Sequence, residues 1–151
     1  MTREALLALL DPLLQTLAGL AAGEPAFVAH ALNLQDWSAL DAACKAALAA
    51  GWLVNRDAGP HVRYGRVAKA IPETQNFSID AVVMDGPAPG AHTHVSGEYD
   101  LLIPLEGSPR FDGHAERWVV YPPGSRHIPT VSGGKMLILY FVPGGQIRFD
   151  A

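Results

Sequence analysis

The stretch Ala91-His92-Thr93-His94-Val95-Ser96-Gly97-Glu98-Tyr99-Asp100 decides how the rest of the chain is read. On an extended strand, side chains at i and i+2 share a face, so His92 and His94 point the same way, about 7 Å apart along the strand. The short turn Val95-Ser96-Gly97 lets the chain fold back and bring Glu98 to the same place. Two imidazoles and a carboxylate form a facial ligand set that leaves positions open for water or substrate. Some thirty residues on, Pro122-Pro123-Gly124-Ser125-Arg126-His127 presents a tight turn feeding a strand, with His127 placed to act as a fourth ligand. The same four side chains also have the chemistry of proton-transfer groups that work without a metal.

Outward from this stretch, turn and strand signals alternate. Val62-Tyr64-Arg66 and Phe77-Ile79-Ala81-Val83 repeat at strand spacing. Further runs cover 99–105, 117–121, 127–131, 136–142 and 146–149. Between them lie Asp85-Gly86-Pro87, Glu106-Gly107-Ser108-Pro109, Asp112-Gly113, Ser132-Gly133-Gly134 and Pro143-Gly144-Gly145, which are turn chemistry. Many short strands joined by such turns predict a β-sandwich or barrel.

Residues 1–55 read differently. Leucines crowd 2–22, with Asp11-Pro12 reading as a cap and helix restart, and Gly23-Glu24-Pro25 as a stop, so one or two amphipathic helices are expected. Ser38-x-x-Asp41 resembles a capping box, Leu40, Cys44, Ala47 and Leu48 follow at helical spacing, and Gly51 ends the run. The expectation is one domain over 1–151: a helical leader over 1–55 packed on a β-barrel over 56–151. The expected fold class is mainly β, a sandwich or barrel with an N-terminal helical segment.

Composition bounds the function. The chain has 151 residues, 49% hydrophobic and 17% charged, which argues for a packed core and against disorder. A net charge of −4 disfavours bulk nucleic-acid binding. The single cysteine, Cys44, excludes an internal disulfide and suits a reducing compartment. The Asp11-Pro12 break interrupts the leader's apolar run, so no membrane span is read and the cytoplasm is the expected location. No Gly-x-Gly-x-x-Gly is present, so neither nicotinamide nor flavin is expected. Barrel edges and an apolar leader both need cover, which predicts a homodimer.

Four of the eleven basic residues fall in one stretch: Arg56, Arg63, Arg66 and Lys69. They suit a solvated edge strand. Alternatively, Arg63 or Arg66 enters the barrel and clamps an anionic substrate; the two lie on opposite faces, so at most one does so. Asp100 shares the parity of Glu98 and is a candidate inward carboxylate, and Tyr140 is a candidate hydroxyl at a pocket wall.

His92-x-His94, three residues, Glu98, with Pro122-x-Gly124-x-x-His127, resembles the two motifs of the cupin family. Leu105 stands where the first motif ends in glycine, and Val131 where the second ends in asparagine. A narrower resemblance rests on the leucine-rich leader, Gly97-Glu98-Tyr99-Asp100-Leu101, Arg110-Phe111-Asp112-Gly113-His114 and Trp118-Val119-Val120-Tyr121-x-Pro123-Gly124-Ser125-x-His127-x-Pro129-Thr130-Val131-Ser132-Gly133-Gly134. These are similar to the 4-hydroxylaminobenzoate lyase family. That resemblance implies conversion of 4-hydroxylaminobenzoate to 3,4-dihydroxybenzoate (protocatechuate) with release of ammonium, in nitroaromatic degradation. The cupin motifs imply a jelly-roll barrel and a divalent metal on His92, His94, Glu98 and His127, and the narrower resemblance implies a small aromatic acid as substrate. Such a conversion needs an acid and a base in one pocket, which makes Glu98, then His127, the candidates for proton transfer. Another metal-dependent cupin enzyme, an oxygenase or isomerase on a small acid, and a non-catalytic ligand-binding cupin are the alternatives.

Overall fold

The computed structural model describes residues 1–150. Three helices lead: α1 (Arg3–Leu20), α2 (Pro25–Asn33) and α3 (Ser38–Ala49). Nine strands follow: β1 (Arg56–Asp57), β2 (Val62–Ala68), β3 (Phe77–Met84), β4 (His92–His94), β5 (Glu98–Phe111), β6 (Trp118–Tyr121), β7 (Ser125–His127), β8 (Val131–Pro143) and β9 (Ile147–Phe149). They make a six-stranded sheet in the order β1-β2-β3-β8-β5-β6 and a three-stranded sheet β7-β4-β9. Every pairing between strands is antiparallel. The fold is the expected one: mainly β, a cupin-like jelly-roll barrel with a helical N-terminal segment.

The large sheet is apolar on both faces, which is why its central strands read as continuous hydrophobic runs. Ile79, Ala81, Tyr99, Leu101, Ile103, Leu137, Leu139 and Phe141 face the helices and pack with Leu6, Leu10, Leu14 and Leu17 of α1, Val28 and Leu32 of α2 and Cys44 of α3. Val62, Val82, Met84, Leu102, Met136, Ile138, Tyr140 and Val142 face the barrel interior, where Ile147 of the small sheet packs on them. Burying a leucine or phenylalanine side chain contributes about 1.5–3 kcal/mol, so this double burial is the main stabilising term. Polar ties pin the helices in place. Asn33 accepts from the Trp118 backbone N–H at 2.9 Å and donates to its carbonyl at 3.2 Å, and Arg117 pairs with Asp41.

The leader corrects three expectations. There is no restart at Asp11: α1 runs through Pro12, capped by Thr2, whose hydroxyl accepts from Ala5 N–H at 3.1 Å. Proline removes one helical hydrogen bond, but Leu6, Leu10, Leu13, Leu14 and Leu17 form one buried stripe that only a continuous helix presents. A helix does start at Ser38, as its spacing predicts, but Ser38 is its first helical residue and not its cap. Asp36 accepts from its N–H at 3.0 Å and its hydroxyl at 2.8 Å, while Asp41 is committed to Arg117. Helix α2 was not anticipated, although Pro25 at its first turn and the spacing of Val28 and Leu32 are its signals. Among the described residues no helix is long and apolar enough to cross a membrane. In the second motif, the strand expected over 127–131 is broken: β7 ends at His127 and β8 begins at Val131.

Candidate metal centre

Strand β4 carries His92 and His94 on one face, as the spacing predicted. In the small sheet His92 sits opposite His127 on β7 and Phe149 on β9. The turn to β5 passes through Gly97 at φ 86°, in the left-handed region that glycine occupies freely. A Cβ there would lie 2.9 Å from the Tyr121 carbonyl oxygen. That turn returns Glu98 beneath the histidines, so the four expected donors converge, with their nearest ligand atoms all within 4.8 Å of one another.

His92 Nε2 lies 2.9 Å from His94 Nε2 and 3.1 Å from His127 Nε2. Glu98 Oε2 lies 3.3 Å from His94 Nε2 and 3.8 Å from His92 Nε2. Donors bound at about 2.1 Å stand about 3.0 Å apart at right angles and about 4.2 Å apart when opposite, so these four separations fit one shared ion. The outer nitrogens agree. Ser125 Oγ donates to the Pro122 carbonyl at 2.6 Å, which leaves it to accept the Nδ1–H of His94 at 2.8 Å. His127 Nδ1–H donates to Asp112 at 2.5 Å. Both rings therefore carry their proton on Nδ1 and turn an Nε2 lone pair inward, the form in which histidine ligates metal. Both Glu98 oxygens are buried and receive no well-directed hydrogen bond, a costly state for a carboxylate that a cation would relieve. The group can hold a metal.

Behind Glu98, two residues along β5, Asp100 points into the barrel, fully buried and also without a hydrogen-bond partner. Burial and the neighbouring Glu98 charge push its carboxyl well above the usual carboxylate range. Burial also pushes Glu98 up, but His94, Asp100 and His92 outweigh it and hold that group below its ordinary value. The two neighbours are thus pushed apart, Glu98 toward its ionised form and Asp100 toward its protonated form. Burial, opposed by Glu98, lowers the His92 imidazole to about 4.

The centre opens into a cleft of about 960 Å³ lined by His92, Glu98, Tyr140, Met84, Val82, Tyr64, Arg66 and Arg56. Tyr140 is a wall residue, nearly buried, and burial raises its phenol well above the ordinary value. Arg66 lies in the cleft but is bidentate to Asp80, at 2.9 and 3.2 Å. Arg63 does not reach it. Its side chain is on the outer face of β2, 3.3 Å from Asp57, because an odd offset from Arg66 reverses the side of the strand. Arg56, not singled out as a clamp from sequence, lines the cleft and has no carboxylate partner among the described residues.

Asp112, Tyr121 and Ser125 were also missed. Asp112-Gly113 read only as a turn, and it is one, with positive φ at both residues. The carboxylate it presents accepts from His127, from Tyr121 O–H at 2.5 Å and from Thr130 N–H at 2.9 Å. Burial opposes this, but the bonds from His127 and Tyr121 hold the Asp112 carboxyl below its usual value. Tyr121 lies opposite Glu98 across β5 and β6, a register that only the structure supplies. Its ring sits 4.9 Å from that of His94 and 4.6 Å from that of His127.

With this geometry in view, the likeness to known proteins is specific. Residues 27–149 match the family profile PnbB, 4-hydroxylaminobenzoate lyase. The chain is 33% identical over 119 residues to a 4-hydroxylaminobenzoate lyase of Pseudomonas putida, covering 68% of each. It is 34% identical over 108 residues to one from Nocardioides sp. (strain LMS-CY), covering 66% of this chain and 64% of that protein. Among solved structures it is similar to an RmlC-like cupin protein from Ralstonia eutropha JMP134, with 18% identity, 66% of each chain covered and a TM-score of 0.48.

Proposed function

The chain belongs to the 4-hydroxylaminobenzoate lyase family of the cupins, and we propose that it converts 4-hydroxylaminobenzoate to 3,4-dihydroxybenzoate and ammonium. The observation that carries this reading is a buried acid–base and ligand centre at one end of a cleft whose other side carries arginine. A para-substituted benzoate has that polarity, with its reacting group at one end of the ring and its charge at the other.

The reaction is redox-neutral. The nitrogen–oxygen bond breaks and the hydroxyl leaves as water. One water adds to the ring carbon beside the nitrogen, and a second displaces the nitrogen as ammonia. Two waters enter, one water and one ammonia leave, and no electron acceptor is needed. A divalent metal held by His92, His94, Glu98 and His127 would supply Lewis acidity toward an oxygen of water or substrate.

The side chains supply the rest. Glu98 is the first candidate for proton transfer, to the departing hydroxyl and from the entering water, with the buried Asp100 carboxyl, held toward its protonated form, two residues behind it. His127 is the second candidate for proton transfer. Arg66 holds the benzoate carboxylate through the Nη1 that its pair with Asp80 leaves over and fixes the ring, with Tyr140 at the wall and Val82 and Met84 as apolar flanks that limit water. The test is ammonium and dihydroxybenzoate release from 4-hydroxylaminobenzoate, with and without a chelator, for the parent and Glu98→Ala. The expected result is turnover without added oxygen or reductant, and a drop of roughly 10²-fold or more in Glu98→Ala. No dihydroxybenzoate from the parent, or full activity in Glu98→Ala, would defeat the reading.

A further inference from the structure

We infer that Asp112 is a positioning residue: it fixes the proton of His127 on Nδ1 and thereby keeps the Nε2 lone pair aimed at the four-donor centre. The inference concerns the centre and not the reaction, so it stands or falls separately from the lyase reading.

The geometry leaves Asp112 little freedom. Its backbone holds φ 48°, a conformation that Asp and Asn tolerate better than other side chains, and Gly113 follows at φ 84°. Phe111 and His114 close this turn with two backbone bonds of 2.8 Å. Asp112 and Thr130 are then tied twice. Asp112 N–H donates to the Thr130 carbonyl at 2.8 Å, and Thr130 N–H donates to Asp112 Oδ1 at 2.9 Å. Because Oδ1 is held by a backbone donor, Oδ2 alone faces His127 Nδ1 and the Tyr121 hydroxyl, each at 2.5 Å. Tyr121 O–H already donates to that oxygen, and as an ionised carboxylate it is acceptor-only, so the bond to His127 then requires the proton on Nδ1.

His94 offers an internal contrast. Its outer nitrogen meets the neutral Ser125 hydroxyl, whereas His127 meets a charge, and charge-assisted bonds are roughly twice as strong. A turn aspartate serving only its loop would need the Thr130 bond and nothing else. The two bonds on Oδ2 are the part that a structural role leaves unexplained.

The isosteric variant Asp112→Asn separates the two roles. Asparagine tolerates the turn, and its Oδ1 keeps the Thr130 N–H, so its amide NH₂ must occupy the Oδ2 position. There it donates to His127 Nδ1, which forces the ring proton onto Nε2 and blocks the lone pair. In metal-free, ¹⁵N-histidine-labelled protein at pH 8, the parent is expected to show His127 protonated on Nδ1, and Asp112→Asn on Nε2. Zn²⁺ affinity, measured by competition with a chromophoric chelator, should fall roughly 10–100-fold in Asp112→Asn. In a His127→Ala background the same substitution should cost nothing further, because its only route to the centre is gone.

Tyr121→Phe, which removes one donor but keeps the carboxylate on His127, should lower Zn²⁺ affinity far less. The inference is overturned if His127 of the parent carries its proton on Nε2, a measurement that needs no variant to fold. It is equally overturned if Asp112→Asn keeps the Nδ1 proton, or if it loses as much Zn²⁺ affinity without His127 as with it.

Discussion

Replacing Gly97 by alanine tests whether the turn between β4 and β5 is what assembles the centre. Gly97 has φ 86°, and alanine in the left-handed region costs about 1–2 kcal/mol. The added Cβ would meet the Tyr121 carbonyl oxygen at 2.9 Å and Pro123 Cδ at 3.5 Å. That carbonyl cannot retreat freely, because Tyr121 is paired with Glu98 in the large sheet. Overpacking against fixed backbone adds about 1–3 kcal/mol, which makes the total about 2–4 kcal/mol after partial relaxation. For a chain of this size each kcal/mol lowers Tm by about 2–4 °C, so a fall of roughly 5–15 °C is expected. Urea titration read by circular dichroism gives the free energy, and Zn²⁺ competition gives the second readout. Zn²⁺ affinity should fall as well, since Gly97 lies between His94 and Glu98 and the strain is relieved by moving one of them. Gly90→Ala is the control, since a Cβ there meets nothing within 4 Å and its φ lies outside the strained region. Should Gly97→Ala match the parent within about 0.5 kcal/mol, the size of an ordinary surface substitution, and bind Zn²⁺ as tightly, the turn does not govern the centre.

Other outcomes follow from burial and parity. Leu10→Ala, at a fully buried site under the sheet, should cost about 2–5 kcal/mol in chemical denaturation, whereas Leu9→Ala, at a 54% exposed site one residue away, should stay within about 0.5 kcal/mol. If substrate carboxylate binds at the cleft arginine, Arg66→Ala should raise KM for 4-hydroxylaminobenzoate while Arg63→Ala, on the outer face, leaves it unchanged; equal effects would remove the clamp. Burial pushes the Cys44 thiol up to about 12 from 9.0. Because the folded value is the higher one, this group's stabilisation is complete below about pH 9 and is lost toward about pH 12, at up to about 1.4 kcal/mol per pH unit. Stability of the parent should therefore fall more steeply across that window than that of Cys44→Ala, and a thiol reagent at pH 8 should label Cys44 only on unfolding; ready labelling of the native chain would contradict its burial.

The barrel was legible because its signals are local. Strand alternation, Gly- and Pro-rich turns and the spacing of His92, His94 and Glu98 each span fewer than ten residues. His127 was reachable because its own turn, Pro122-Pro123-Gly124, is a motif. The leader was harder, since propensity and packing disagree there. Pro12 argues for a break, and the leucine stripe that overrules it gains its energy from a sheet some sixty or more residues away. Asp112 failed for the opposite reason. The turn it forms already accounts for its identity, its place in the block from Arg110 to His114 marks a family and not a role, and only the return of β7 beside it brings His127 within reach. The choice between Arg63 and Arg66 stayed open because parity separates the faces of a strand without saying which face is inside.

Register supplies what parity cannot. Arg66 pairs with Asp80, Asp80 with Tyr140 and Tyr140 with Asp100, so these four side chains form one row across β2, β3, β8 and β5 on the interior face. The adjacent row, two residues along each strand, is Tyr64, Val82, Ile138 and Leu102, which is mostly apolar. A barrel interior gains nothing in stability from a row of two carboxyls, a phenol and a guanidinium, and Asp100 has no partner to offset its burial. Such a departure from apolar packing is expected where function overrides stability. The row runs from the carboxyl behind Glu98 to the arginine in the cleft. It therefore sets the carboxyls beside the four-donor centre and the cleft arginine on strands whose spacing, about 4.8 Å each, is set by backbone hydrogen bonds and not by mobile loops.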